Sequence, residues 1–396
     1  MRRWGFILLA VAALLAAPQA GAAGKTWYVS QASGSNRNDG TKENPFRNIQ
    51  KAVDAASHGD VIRVAEGNYY GMLNCGNIKV NKGVSIFGGY APDFSERDIL
   101  RYRTYIQPTA TSNGSASGQG TIQIDVRESG TLVELDGLIM DRGNSVAYHP
   151  RGEGRPQGVD SPMMQSIGSA GVGAPGVPEE KVYTTETAIV YINTGARCDV
   201  TIRNCAFLNG PNFGLLGSTF ASKVTVDNCV FVNIRMAAVE LRGASAATNS
   251  TTQFTHNTIL FTWSRLKDFG DMGYGYRFLP RMDSRVVSSI IGCTVDVALD
   301  RSLVDTPAAG AAVEATCENT LFFLNRTDEG SQRAGTGNRE VDPSIFGDRI
   351  NAAYLAGFRG ATATPPTEKM FANHYPVEDA LKLFGAVPGY GAQLPK

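Results

Sequence analysis

The sequence predicts an all-β chain wound as a parallel β-helix, and three observations lead there. Short runs of alternating apolar and polar residues follow one another through most of the chain, with no helical stretches between them. From residue 199 onward the runs become a repeat. Residues 199–210 (DVTIRNCAFLNG), 223–234 (KVTVDNCVFVNI), 252–263 (TQFTHNTILFTW) and 314–325 (EATCENTLFFLN) share an alternating segment, an Asn, a small or polar residue and an apolar pair. Glycine supplies 44 of 396 residues, above the ~7% of ordinary proteins, so turns are frequent.

The repeated Asn residues stand at 204, 228, 257 and 319, at intervals of 24, 29 and 62 residues, and the last interval leaves room for a degenerate copy around 284–292. A period of this size with several strands in it marks a solenoid. In a parallel β-helix each turn contributes about three strands, and turns stack at ~4.8 Å. Asn suits a fixed bend in each turn, because it tolerates left-handed backbone and its amide can bond the equivalent Asn one turn away. Cys205 and Cys229 follow that Asn in adjacent turns. They are expected to stack inward with Ile202, Phe207, Val226 and Phe231.

Along the chain, residues 1–22 read as a secretory signal: Arg2 and Arg3, an uncharged run, then small residues at 20 and 22. A secreted or periplasmic protein is expected, and no later stretch is apolar enough to insert into a membrane. Residues 23–60 hold a strand and a capping helix, with Asn44 as N-cap, Pro45 at the first helical position and Ile49, Ala52, Val53 and Ala56 on one face. Residues 61–345 form the solenoid, interrupted by a Gly/Pro/Ser-rich insertion at 144–185 and an irregular stretch at 264–283. Residues 346–396, with helical spacing at 376–386, are expected to cover the last turn, whose core and strand edge are otherwise exposed.

Charge and cysteine usage narrow the function classes. Lys and Arg number 37, as do Asp and Glu, so neither nucleic acid nor an anionic bilayer is an expected partner. Without the signal segment the chain is slightly acidic. Six cysteines, none in metal-binding spacing, read as buried core residues with one or two bridges at most. No phosphate loop, nucleotide fingerprint, zinc pattern or nucleophile elbow is present. A monomer is expected.

The segments 38–71 (NDGTKENPFRNIQKAVDAASHGDVIRVAEGNYYG) and 85–98 (SIFGGYAPDFSERD), with the Asn repeats and VDPSIF at 341–346, resemble secreted bacterial right-handed parallel β-helix proteins of the pectate-lyase-like superfamily. The resemblance covers most of the chain after the signal. It implies that fold and a polysaccharide partner. Activities in the superfamily include lyases, glycoside hydrolases, epimerases and esterases, beside members without known catalysis. The adjacent Asp-Asp and Gly-His-Gly of polygalacturonase-type hydrolases are absent. Alginate and dermatan lyases of this fold carry clustered Glu, a Lys-Ser and an Arg about one turn later, with calcium between. Here 237–243 (AAVELRG) and 262–268 (TWSRLKD) are the nearest match: Arg242 and Arg265 lie one turn apart, Glu240 alone stands for the acidic cluster, and Lys-Ser is missing. A Ca2+ ion beside Glu240 is what that resemblance implies.

β-Elimination from a uronic acid needs a cation against the carboxylate, a base and an acid. Strand alternation turns Val239 and Leu241 inward and Glu240, Arg242, Arg277 and Asp300 outward, a stripe able to floor a sugar groove or to form a solvated face. A lyase would use Arg242, Arg265, Lys267 or Arg277 as the cation and a residue such as Tyr276 for proton transfer. Glu240, Asp300, Trp263, Tyr274 and His149 are the candidate substrate-binding residues, with the aromatics either stacking on sugar or packing beneath the 264–283 loop. His256 reads as structural. Two further readings accompany the lyase: a non-catalytic polysaccharide-binding or structural protein, and a glycoside hydrolase with Glu240 and Asp300 as paired carboxyls.

Overall fold

A computed structural model describes residues 24–70, 77–107, 120–142, 188–210, 212–263, 272–305, 312–328, 334–362 and 374–395. The signal segment and the 144–185 insertion lie outside them, as do His149, Arg265 and Lys267.

Every strand pairing within the three sheets is parallel, and the chain visits the sheets in rotation as a right-handed parallel β-helix. Sheet A stacks nine strands from Thr26–Val29 to Ala315–Glu318. Sheet B stacks nine from Gly67–Tyr69 to Arg339–Glu340, and sheet C seven from Ile78–Val80 to Leu299–Asp300. One turn shows why the sequence winds this way. In Cys198–Arg203 the alternate residues Val200 and Ile202 point inward; the chain then bends at Asn204 and continues as Ala206–Gly210, sending Phe207 into the same core. Phe207 stacks on Phe231 of the next turn with ring centroids 4.2 Å apart, and Phe254 and Tyr276 extend the inner aromatic column. Cys205 and Cys229 are buried in that core, as the spacing predicts, and both are free thiols.

The A-to-B corner is a column of left-handed residues: Gly137, Asn204, Asn228, His256, Ser288 and Asn319 all have positive φ. Asn228 Nδ2 donates to Asn204 Oδ1 at 2.8 Å. The expected equivalence of Asn257 to Asn204 is corrected here. Register pairs Asp227 with Thr255, so His256 takes the corner and Asn257 falls one place on, beside Cys229, whose N–H it accepts at 2.8 Å. Histidine tolerates left-handed backbone better than most side chains. A second column bends sheet B itself at Asn209, Asn233, Phe261, Cys293 and Leu324.

Both ends of the sequence serve the solenoid. The helix α1, Ile49–Ala55, buries Ile49, Ala52 and Val53 against the inner core. It starts later than the Asn44–Pro45 signal predicts. Phe46 is committed instead to the sheet edge: its N–H donates to Tyr28 O and its carbonyl accepts from Ser30 N, both at 2.9 Å. The C-terminal part contributes α2, Ala352–Thr362, and α3, Val377–Leu381. Among the described residues it lies along the outer face of sheet B. Tyr354, Phe358, Tyr375 and Leu381 pack on Leu208, Val232, Leu260, Phe261 and Trp263. That face is apolar along its length, and its burial drives the placement.

Candidate functional site

Among the described residues, the cover packs on the outside of sheet B and not on that of sheet C. Sheet C also receives the longest connection of the solenoid, from Asp141 to Ala188. Its outward residues line up across adjacent turns in the order Lys79, Gln123, Tyr191, Leu216, Glu240, Arg277 and Asp300. The row divides into two halves. Toward its middle, Tyr191 and Leu216 join Phe213, Met236, Met272 and Tyr274 in an apolar cluster on the outer surface. Toward its C-terminal end the row is ionic.

Arg277 is the centre of the ionic half. Its Nε lies 2.7 Å from Asp300 Oδ2 and its Nη1 3.2 Å from Glu240 Oε2. Both carboxylates are only 5% exposed. Burial opposes the charge on Arg277, but the Glu240 and Asp300 carboxylates outweigh it and hold the pKa above its ordinary value. The guanidinium also sits over the Tyr274 ring, 5.0 Å from its centroid. Arg242 extends beyond the row, touching Glu240 Oε1 at 3.4 Å with its side chain 57% exposed. Asp300 Oδ1 accepts the Ser302 N–H at 3.0 Å.

Of the residues singled out from sequence, Glu240, Arg242, Arg277, Asp300 and Tyr274 are therefore brought together on one face. Two others are not. Tyr276 points into the core at 1% exposure, between Phe254 and Phe278, and burial pushes its hydroxyl up to about 12. A groove-side role for Tyr276 is corrected by that geometry, since strand alternation that turns Arg277 out turns Tyr276 in. Trp263 is fully buried on the outer side of sheet B, beneath Tyr354 and Phe358, with Nε1 donating to Asn233 Oδ1 at 2.9 Å. It packs under the cover and is closed to a sugar chain. Tyr191, Phe213 and Leu216 were missed by sequence reasoning, although the same alternation that turned Glu240 outward places Leu216 beside it and Tyr191 one turn further on.

The donor set does not fit calcium. Glu240 and Asp300 already share the Arg277 guanidinium, so a cation between them would meet a resident positive charge. Among the described residues no group of three or more His, Cys, Asp or Glu could hold a metal ion. Nor is any helix among them long and apolar enough to cross a membrane.

Residues 32–129 match a family model described as a protein of unknown function, DUF1565. An uncharacterized protein of Bacillus subtilis, YwoF, is 39% identical over 84 residues, which make up 19% of this chain and 18% of that protein. The chain thus matches less than a fifth of that relative's length. Among solved structures, pectate lyase Pel9A is similar over 82% of this chain and 80% of its own, at 11% identity and a TM-score of 0.38. A GH136 lacto-N-biosidase from Eubacterium ramulus is similar over 80% of this chain and 55% of its own, also at 11% and 0.38. The pectin methylesterase of Aspergillus niger is similar over 81% and 93%, at 14% and 0.26.

Proposed function

We propose that this is an exported, carbohydrate-active protein that takes a polysaccharide on the outer face of sheet C. The observation that carries the reading is the juxtaposition of an apolar and aromatic surface with a row of fixed ionic groups. Tyr191, Leu216 and Tyr274 offer faces for sugar rings, while Glu240, Arg277 and Asp300 offer hydrogen-bond partners for hydroxyls at positions that three adjacent strands hold rigidly. Binding is what this geometry supports best. Arg277 is already neutralised by two carboxylates and is not a free cation for a uronate.

A lyase reading rests on Arg242. It stands beside the row, and its guanidinium extends into solvent, where it can meet the carboxylate of an acidic glycan. A hydrolase reading rests on the two carboxylates that flank Arg277, since paired carboxyls are what glycoside hydrolysis uses.

One set of experiments separates these readings. Calorimetry against a panel of neutral and uronic-acid polysaccharides is expected to show binding that Leu216→Asp and Tyr274→Ala weaken. A rise in unsaturated-uronate absorbance that Arg242→Ala abolishes would establish the lyase, and new reducing ends without that absorbance would establish the hydrolase. Absence of both binding and turnover across the panel would overturn the proposal.

A further inference from the structure

The outer face of sheet A carries a second constellation, near its N-terminal end and apart from the row on sheet C. Arg63 lies in the sheet directly beside Tyr28. Its guanidinium carbon is 5.9 Å from the Tyr28 ring centroid and 5.4 Å from that of Tyr90, so that the cation is set between two aromatic rings. Neither ring is fully buried.

Three local irregularities build this arrangement. The strand Ser85–Tyr90 is bulged against Val61–Ala65: Arg63 pairs with Phe87, yet Ala65 pairs with Tyr90, so one extra residue is accommodated at Gly88 and Gly89. Gly89 takes φ 84° there. Bulges re-aim side chains, and this one brings Tyr90 within reach of Arg63. Next, Phe94 adopts φ 59°, an unfavourable conformation for a bulky side chain. It packs edge-on to Tyr28 at 5.0 Å and against Tyr90 at 6.3 Å, which fixes both rings. Finally, the Arg63 Nε–H is buried without an acceptor among the described residues.

The surrounding charges leave Arg63 as the uncompensated member. Arg97 is engaged by Asp136 at 2.6 Å and by Gly88 O at 2.8 Å. Arg203 is engaged by the same Asp136 and by Glu134, each at 2.6 Å. No carboxylate among the described residues reaches Arg63. A buried donor with no acceptor is costly, and a fixed cation between aromatic faces has the form of a receptor for an anion attached to a flat apolar body.

We propose that this surface is a second sugar site, selective for carboxylated rings. The carboxylate of a uronic-acid residue pairs with the Arg63 guanidinium, and its pyranose ring lies against Tyr28 or Tyr90. The site shares no residue with the sheet C row, so an acidic chain held here is held independently of whatever sheet C does to it.

The test is calorimetry of the full chain with an oligogalacturonate and, in parallel, a neutral β-glucan oligosaccharide. An Arg63-dependent component is expected for the oligogalacturonate alone. Arg63→Gln is expected to weaken it by about tenfold or more, and Arg63→Lys to weaken it less. Tyr90→Ala, which keeps the cation, is expected to weaken the same component and provides the test if Arg63→Gln fails to fold. Undiminished binding by both Arg63→Gln and Tyr90→Ala overturns the proposal. So does an absence of any binding of the uronate. Failure at this site leaves the sheet C reading to its own variants, Leu216→Asp and Tyr274→Ala.

Discussion

Asn233 donates from Nδ2 to Oδ1 of Asn209 at 2.6 Å, across one turn of the solenoid, and this pair joins the β-helix to its C-terminal cover. Asn209 holds Tyr375 by both backbone groups, accepting its N–H at 2.8 Å and donating to its carbonyl at 3.1 Å. Asn233 Oδ1 in turn accepts from Tyr354 hydroxyl at 2.7 Å and from Trp263 Nε1 at 2.9 Å. All of these atoms are buried, where hydrogen bonds are unscreened and an orphaned partner is expensive.

Replacing Asn209 by Ala is therefore expected to cost more than an ordinary polar-to-Ala change. The substitution orphans the Tyr375 peptide and places Ala at φ 58°, together about 2–4 kcal/mol. Chemical denaturation measures the total. Hydrogen exchange is expected to show the loss first as faster exchange at Tyr375 and in α3, since the cover is attached through that peptide.

A second attachment makes the cover sensitive to pH. His374 Nε2 lies 3.4 Å from Asp141 Oδ2, and that hydrogen bond, opposed by partial burial and aided by the Asp141 charge, raises the His374 pKa. Asp141 itself is 3% exposed, with Gln107 and Asn209 on its remaining positions. Because the folded pKa is raised, the stabilisation is fully present below the unfolded value of about 6.5 and is lost as pH rises through the folded value. Melting temperature is expected to fall across that window in the wild type. The fall should be absent in His374→Gln.

How much of this was legible in the sequence depends on the range of the interaction. The strand–corner–strand repeat shows in one line of sequence because its inward residues, Ile202 and Phe207 or Val226 and Phe231, recur in each turn. Alternation likewise turned Glu240, Arg242, Arg277 and Asp300 outward correctly. The corner at His256 was misplaced by one residue because Asn257 imitates the repeat, and only the pairing of Asp227 with Thr255 settles the register. The fate of Trp263 was undecidable from its own neighbourhood, since Tyr354 and Phe358 cover it from far along the chain. The Arg63 site was missed for a related reason: Tyr28, Arg63 and Tyr90 belong to three turns, and a bulge at Gly88–Gly89 is needed to align them.

The corner column gives a prediction at His256. Asn204 and Asn228 already bond across turns at 2.8 Å, and Asn at 256 would continue that ladder from the same left-handed backbone. His256→Asn is expected to be neutral or slightly stabilising. His256→Val, which sets a β-branched side chain at φ 52°, is expected to cost about 1–2 kcal/mol. Urea midpoints of the two variants decide the matter, and equal midpoints would show that the corner does not discriminate by backbone preference.

The ionic row on sheet C yields the largest expected effect on stability. Glu240 and Asp300 are each 5% exposed and are bridged by Arg277. Arg277→Met removes the cation and leaves two buried carboxylates facing the gap, a change expected to cost about 3–5 kcal/mol near neutral pH. The penalty belongs to the uncompensated charges and not to the lost side chain. The triple variant Glu240→Gln, Arg277→Met, Asp300→Asn should therefore recover most of it. Denaturation of the single and triple variants tests this directly. A triple variant no better than the single would mean that Arg277 acts through packing against Tyr274 rather than through the charges it neutralises.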